Sequence, residues 1–271
     1  PLKPTKKFLW LAGFIATDGT LTKVTDKRTN SVYVKVRVFN TNPALIKKAE
    51  ESFDELALSP YKSTRRDGLT ALETGSNLLA SILVNHYGLK YGAKTTTVET
   101  PVFLESADHQ SIGAYLGGVF DGDGNINIST KKPWLNKVYR GLVVTASNKF
   151  AVGLQRLLHN IGIISSIESH ASGQRVILGG KEVFFPKAFY NVIFRKIEYL
   201  NTFAEVVLSE KGRQTFSYST YHNMNKRDFS GNEFALDTVL SIKKLDSKMK
   251  VYNITVDGNN NYFTESTLLH N

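Results

Sequence analysis

Alternating and helical spacing of hydrophobic residues divides most of the chain into short elements. Across residues 31–38 the valines Val32, Val34, Val36 and Val38 fill every second position, while Tyr33, Lys35 and Arg37 point to the opposite face, as in a strand with one face on a core. The polar face suits either DNA or plain solvent. Behind Asn42-Pro43, a plausible cap, Leu45, Ile46, Ala49, Phe53 and Leu56 recur at helical spacing. Behind Asn148, Phe150, Leu154, Leu157, Leu158 and Ile161 do the same. Residues 61–74 and 165–197 read as strands broken at Asp67-Gly68, Ser172-Gly173 and Gly179-Gly180, and residues 77–87 and 199–208 as helices.

These elements come in two similar sets. Leu11-Ala12-Gly13-Phe14-Ile15-Ala16-Thr17-Asp18-Gly19 parallels Leu116-Gly117-Gly118-Val119-Phe120-Asp121-Gly122-Asp123-Gly124 at an offset of 105, and the Asn42 and Asn148 caps lie 106 apart. The register is kept, and the order in each set reads αββαββα. A repeat of this length exceeds a solenoid unit of about 20 to 50 residues, so it predicts two fused copies of a small α+β domain. The expected divisions are 1–108 and 109–212 for the two halves and 213–271 for a tail of different character.

Charge adds a partner class. The 271 residues carry 34 Lys and Arg against 24 Asp and Glu, a net +10, and residues 213–271 hold seven basic and six acidic ones. The excess therefore lies before residue 213, where a basic surface suits a polyanion. The absence of cysteine excludes a disulfide framework, a thiolate zinc site and a cysteine nucleophile. No apolar run approaches the roughly 18 residues of a membrane span, and residues 8–15 make no convincing signal peptide. The expectation is a monomeric intracellular protein of the cytoplasm or nucleoid, neither secreted nor membrane-bound.

The repeated segments carry candidate chemistry. Ala12 and Ala16, Gly13 and Thr17, and Gly118 and Gly122 are each four apart, so small side chains line a helical face and allow two helices to pack closely. Each segment ends in Asp-Gly, and the spacing predicts an αL glycine cap that leaves Asp18 and Asp123 in the last turns. Two carboxylates at adjacent helix C-termini are unfavourable until a cation joins them. Oxygen ligands of this kind suit magnesium.

Taken together, the segments resemble the double-motif LAGLIDADG homing endonucleases over about residues 8–212. The sixth position departs in the first copy, where it is Ala16, and the eighth-position acid is present in both. The resemblance implies a saddle of two antiparallel sheets over double-stranded DNA and a site-specific, Mg²⁺-dependent double-strand endonuclease, with Mn²⁺ or Ca²⁺ able to substitute in binding. It assigns Asp18 and Asp123 as metal ligands and catalytic acids, with the Thr17 and Gly122 carbonyls beside them. By register it places Asn40 in the first half, and Ala146 or Ser147 in the second, at the water-positioning place. Lys196 matches the central lysine of the second half. The equivalent first-half position falls near Leu72 or Glu73, with Lys94 able to reach in from the linker. Candidate DNA contacts are Tyr33, Lys35, Arg37, Arg65, Arg66, Arg140 and Arg195. The same scaffold without cutting, as a DNA-binding protein or RNA maturase, is the competing reading.

From Phe234 onward, residues 251–263 and the terminal Leu268-Leu269-His270-Asn271 resemble the last two conserved blocks of inteins. There the terminal asparagine cyclises onto its own carbonyl, and the adjacent histidine assists by proton transfer. The resemblance implies that His270 and Asn271 serve splicing in a mainly β, Hint-like segment. Asn260 stands where that family usually carries histidine, and the sequence opens at Pro1 without the amino-terminal splicing block. The expectation is therefore a split-intein fragment needing an amino-terminal partner, a trimmed form or a decayed remnant. A splicing fragment with an incidental nuclease is the third reading.

Overall fold

The computed structural model describes residues 4–129, 138–178, 181–212, 261–263 and 268–270. The chain divides into two compact units, residues 1–219 and 220–271.

In the first unit, helix α1 (Lys6–Asp18) leads into strands β1 (Gly19–Thr25) and β2 (Val32–Asn40), helix α2 (Pro43–Glu55), strands β3 (Tyr61–Thr64) and β4 (Thr70–Gly75), and helix α3 (Asn77–His86). After a 3₁₀ turn (Val102–Ser106), the order begins again. It runs through α4 (His109–Asp123), β5 (Gly124–Ser129), β6 (Val138–Thr145), α5 (Asn148–Asn160), β7 (Ser166–His170), β8 (Gln174–Leu178), β9 (Lys181–Phe185), β10 (Phe189–Phe194) and α6 (Ile197–Val206). The two four-stranded sheets have matching orders, β1-β2-β4-β3 and β5-β6-β10-β7, with antiparallel pairs throughout. The fold is thus a mixed α and β one built on antiparallel sheets.

The expected αββαββα order holds in the first half and falls short in the second. There β8 and β9 form a separate two-stranded hairpin between β7 and β10. The Gly179-Gly180 break foreshadows that hairpin, but periodicity alone does not say that it leaves the main sheet.

The two motif helices form the spine. In α1 every residue from Leu9 to Ala16 is buried, as in a helix covered on all sides. Helix α4 packs on it where side chains vanish. A Cβ placed on Gly118 would stand 1.9 Å from the Trp10 carbonyl oxygen, and one on Gly13 would stand 2.2 Å from that of Tyr115. Gly113 and Gly117 face elsewhere, with their Cβ positions against the backbone of Val206, the last residue of α6, and of Leu208 just beyond it. Helix α4 is therefore met by backbone on two sides.

Three local expectations change. Gly19 (φ −116°) and Gly124 (φ −85°) are extended and not left-handed, so each motif helix runs straight into its strand. What demands glycine is closeness: a Cβ on Gly19 would stand 2.8 Å from the Arg37 carbonyl, and one on Gly124 would stand 2.3 Å from the Phe120 ring. The α5 cap is Ser147 and not Asn148. Its Oγ accepts from Phe150 N at 3.3 Å and donates to the Val98 carbonyl at 2.6 Å. Asn42 caps α2 as expected, accepting from Ala44 N at 2.9 Å. The true caps, residues 42 and 147, keep the same 105-residue offset as the motifs. Helix α6 also begins and ends two residues earlier than the spacing predicts, because Val207 and Leu208 already run extended along α4.

In the second unit, Asn261–Phe263 (β11) pairs antiparallel with Leu268–His270 (β12), Asn261 facing His270. Residues 213–260, 264–267 and Asn271, and with them most of the expected splicing segment, lie outside the described residues.

Candidate active site

The motif helices bring Asp18 and Asp123 to one place. The Cβ position of Gly122 lies 3.4 Å from the Asp18 carboxyl carbon, so each acid sits beside the other helix's end. Asp123 opens onto the cleft, yet the protein crowded around it pushes its carboxyl up to about 6, with the Asp18 charge as the second cause. Asp18 is also raised by burial, against the lowering effect of its hydrogen bond with Asn40. Asn40 Nδ2 donates to Asp18 Oδ2 at 2.6 Å.

Two lysines converge on the pair. Lys94 is buried; its Nζ donates to the Ala16 carbonyl and, at 3.0 Å, to the Thr17 carbonyl. Burial pulls Lys94 down to about 8, opposed by the charges of Asp123 and Asp18. Lys211 Nζ donates to the Gly122 carbonyl at 2.8 Å, and its charge lowers the pKa of both aspartates. Each lysine arrives on the chain that follows the closing helix of its half, Lys94 after α3 and Lys211 after α6.

Lys211 is the residue the sequence reading missed, and Lys196 is the one it misplaced. Strand β10 pairs Tyr190 with Thr145 and Phe194 with Gly141, whereas Gly124, next to Asp123, pairs with Val143. Lys196 therefore lies past the far end of β10, on the order of 15 Å from the level of Asp123 at about 3.3 Å per residue. It is the cap residue of α6, with its Nζ 5.5 Å from the Tyr199 ring centre. Its first-half counterpart is the α3 cap Ser76 and neither Leu72, which is core, nor Glu73.

The same register corrects the partner of Asn40. Gly19 pairs with Val38 and Gly124 with Val143, so Thr145 is the equivalent position, while Ser147 turns away to Val98. Thr145 Oγ1 accepts from Ser147 N at 3.2 Å, as Asn40 Oδ1 accepts from Asn42 N at 2.8 Å. Thr145 and Ala146 line a cavity of about 510 Å³ with Lys94, Asp123, Lys187 and Phe189.

The candidate DNA contacts do not gather as one set. Lys35 and Arg37 both ion-pair with Glu73 on the adjacent strand, and Tyr33 lies beside Gly75. Arg65 pairs with Asp67 at 3.0 Å in the exposed β3–β4 turn, which also carries exposed Arg66. Arg140 is half-buried on β6. Arg195 pairs with Glu168 at 2.7 Å.

The donors left for a cation at the centre are the two carboxylates, oxygen ligands of the kind a hard divalent ion prefers. Among the described residues no three His, Asp or Glu side chains cluster, so a cation here would need oxygens from outside the protein to complete its shell. The Thr17 and Gly122 carbonyls, expected as ligands, accept instead from Lys94 and Lys211. None of the described helices is long and apolar enough to cross a membrane.

These features define a duplicated α+β body with an acid pair and two lysines at its pseudo-twofold centre. Residues 110–208 match the family model described as LAGLIDADG-like domain. The chain is 25% identical over 181 residues to a subunit of the A-type ATP synthase of Methanopyrus kandleri, covering 66% of this chain and 15% of that protein. It is 22% identical to the alpha subunit of the ribonucleoside-diphosphate reductase NrdEB of Bacillus subtilis, covering 92% and 24%. With a DNA polymerase of Thermococcus hydrothermalis it shares 22% identity, covering 82% and 13%. The chain thus spans less than a quarter of the length of these curated relatives. Similar solved structures include mesophilic variants of the homing endonuclease I-DmoI (TM-score 0.49, 16% identity, 76% of this chain and 97% of that one). The LAGLIDADG homing endonuclease I-GzeII in complex with its DNA target is another (0.48, 14%, 76% and 86%).

Proposed function

We propose that this protein is a site-specific double-strand DNA endonuclease working inside the cell, carried within an intein or as the carboxy-terminal piece of a split one. The observation that carries the nuclease reading is the convergence of Asp18, Asp123, Lys94 and Lys211 at the ends of two helices packed backbone to backbone. An acid pair that repels itself suits a divalent cation, Mg²⁺ by its oxygen preference, which would lower the pKa of a bound water and offset charge on the phosphate. Asp18 and Asp123 would hold it. Asn40, through its bond to Asp18, orients the carboxylate and offers an amide toward the attacking water. Lys94 and Lys211 place ammonium charge where the pentacovalent phosphate and the departing 3′ oxygen develop negative charge. The excess of basic residues before residue 213 supports duplex DNA as the partner.

Carriage in a host protein is supported by the relatives. An ATP synthase subunit, a reductase subunit and a polymerase have unlike names, yet each matches this chain over a small share of its length. Residues 213–271 would then supply the splicing segment, with His270 and Asn271 as its reactive pair.

The test is cleavage of a randomised duplex library with Mg²⁺, followed by sequencing of the cut ends. Asp18→Asn and Asp123→Asn should each abolish double-strand cleavage and leave specific binding intact. Normal cutting by both variants would refute the assignment. Binding without cutting by the parent chain would favour a scaffold that only holds nucleic acid.

A further inference from the structure

The two motifs differ at their sixth position, Ala16 in one and Asp121 in the other. The difference has a structural counterpart. Asp121 is wholly buried, and both its oxygens are engaged. Oδ1 accepts from Ser209 Oγ at 2.7 Å, Glu210 N at 2.8 Å and Lys211 N at 3.1 Å. Oδ2 accepts from Trp10 Nε1 at 2.8 Å and lies 3.5 Å from Lys48 Nζ. A buried carboxylate survives only when its lone pairs are met in this way.

The partners come from three places. Trp10 is on α1 and Lys48 on α2, both in the first half, whereas residues 209–211 follow α6 in the second. Lys48 is itself fixed: its Nζ donates to the Leu208 carbonyl at 2.8 Å and lies 4.5 Å from the Trp10 ring centre. Asp121 thus grips the main chain of the residue whose side chain reaches the Gly122 carbonyl and the acid pair. Ala16 offers no such grip. Lys94 is held otherwise, by its own burial and by the carbonyls of Ala16 and Thr17, on a segment tied through Gly92 N to the Leu21 carbonyl at 2.8 Å.

We infer that Asp121 is a positioning residue that sets Lys211 in the catalytic centre and keys it to the first half, so that cleavage of one DNA strand depends on it and cleavage of the other does not. The strand-specific part rests on the nuclease reading above. The two scissile phosphates follow the pseudo-twofold relation of the halves, so Lys211 serves one and Lys94 the other.

Asp121→Asn tests this. Asparagine keeps an acceptor for residues 209–211 but turns an amide N–H₂ toward the Trp10 N–H and the Lys48 ammonium, setting donor against donor. The segment should shift by about 1 Å, enough to cost about 10²-fold in one strand's rate. With strand-labelled duplex, the expected result is accumulation of nicked product, one strand cut at close to the parent rate and binding unchanged. Adding Trp10→Phe removes one opposing donor and should restore much of the lost rate. Independently of cleavage, timed amine labelling read by mass spectrometry should show Lys211 more reactive in Asp121→Asn, with Lys94 unchanged. Ser209→Ala, which removes one donor and no buried charge, should shift both readouts the same way to a smaller degree, and it serves if Asp121→Asn fails to fold. Equal slowing of both strands with unchanged Lys211 labelling would overturn the inference. If the parent cuts no duplex, the nuclease reading and the strand asymmetry fall together, and the labelling alone decides whether Asp121 positions Lys211.

Discussion

Gly118→Ala should separate the two motif helices and with them the acid pair. The added Cβ would stand 1.9 Å from the Trp10 carbonyl oxygen and 2.6 Å from Phe14 N. Both are main-chain atoms of a helix buried on all sides, so no side chain can swing aside. Reaching an ordinary contact of about 3.4 Å requires α1 and α4 to part by roughly 1 to 1.5 Å. Overpacking of this kind costs about 1 to 3 kcal/mol, and the upper end applies where two backbones must move. Asp18 and Asp123 lie one turn further along the same helices. A displacement near 1 Å there should lower the cleavage rate about 10²-fold, beyond any loss of folded protein. The assay pairs urea unfolding with single-turnover cleavage, using Gly75→Ala as the control, since its Cβ would meet Tyr33 at an ordinary 3.4 Å. A Gly118→Ala protein as stable and as active as the Gly75→Ala control would refute the argument that backbone contact sets the geometry of the site.

Glu73→Gln should raise affinity for duplex DNA and steepen its salt dependence, because Glu73 ion-pairs with both Lys35 and Arg37. Each additional phosphate contact adds about 0.9 to the slope of log K against log salt, and titrations by fluorescence anisotropy at several salt concentrations would show it. The second expectation concerns pH. Asp123 rises from 3.8 to about 6 in the fold, so its favourable contribution is complete below about pH 4 and is lost as pH climbs through 6. Two units correspond to about 3 kcal/mol, which solvent access in the open cleft reduces to about 1 kcal/mol. Urea midpoints measured in EDTA should therefore fall over that window in the parent protein and much less in Asp123→Asn.

The sequence made the duplication and the acid pair legible because both are local. Nine residues carry the small-residue face and the terminal aspartate, and Asn42-Pro43 announces α2 on its own. What it could not supply is register between strands. Thr145 and Asn40 correspond only once Gly124 is known to face Val143 and Gly19 to face Val38, and linear counting landed one or two residues later. The misplaced lysine has a different cause. Lys196 looked right because it ends a strand, but both central lysines ride on irregular segments after the closing helices, where no periodicity marks a position. A signal did exist: the glycines Gly113 and Gly117 lie four apart, with Asp121 four further on, along a second face of α4. That spacing marks where the segment bearing Lys211 comes to lie.

The hairpin of β8 and β9 stands in one half and has no counterpart in the other. Duplex DNA reads the same in both directions only where its sequence is self-complementary, and a protein with unequal arms has no reason to prefer such a site. On the nuclease reading, it would sit on its target in a single orientation, as a hand fits one glove. The two ends of the resulting break would then be distinguishable to whatever repairs them, since one lies under the arm with the hairpin and the other under the arm without it.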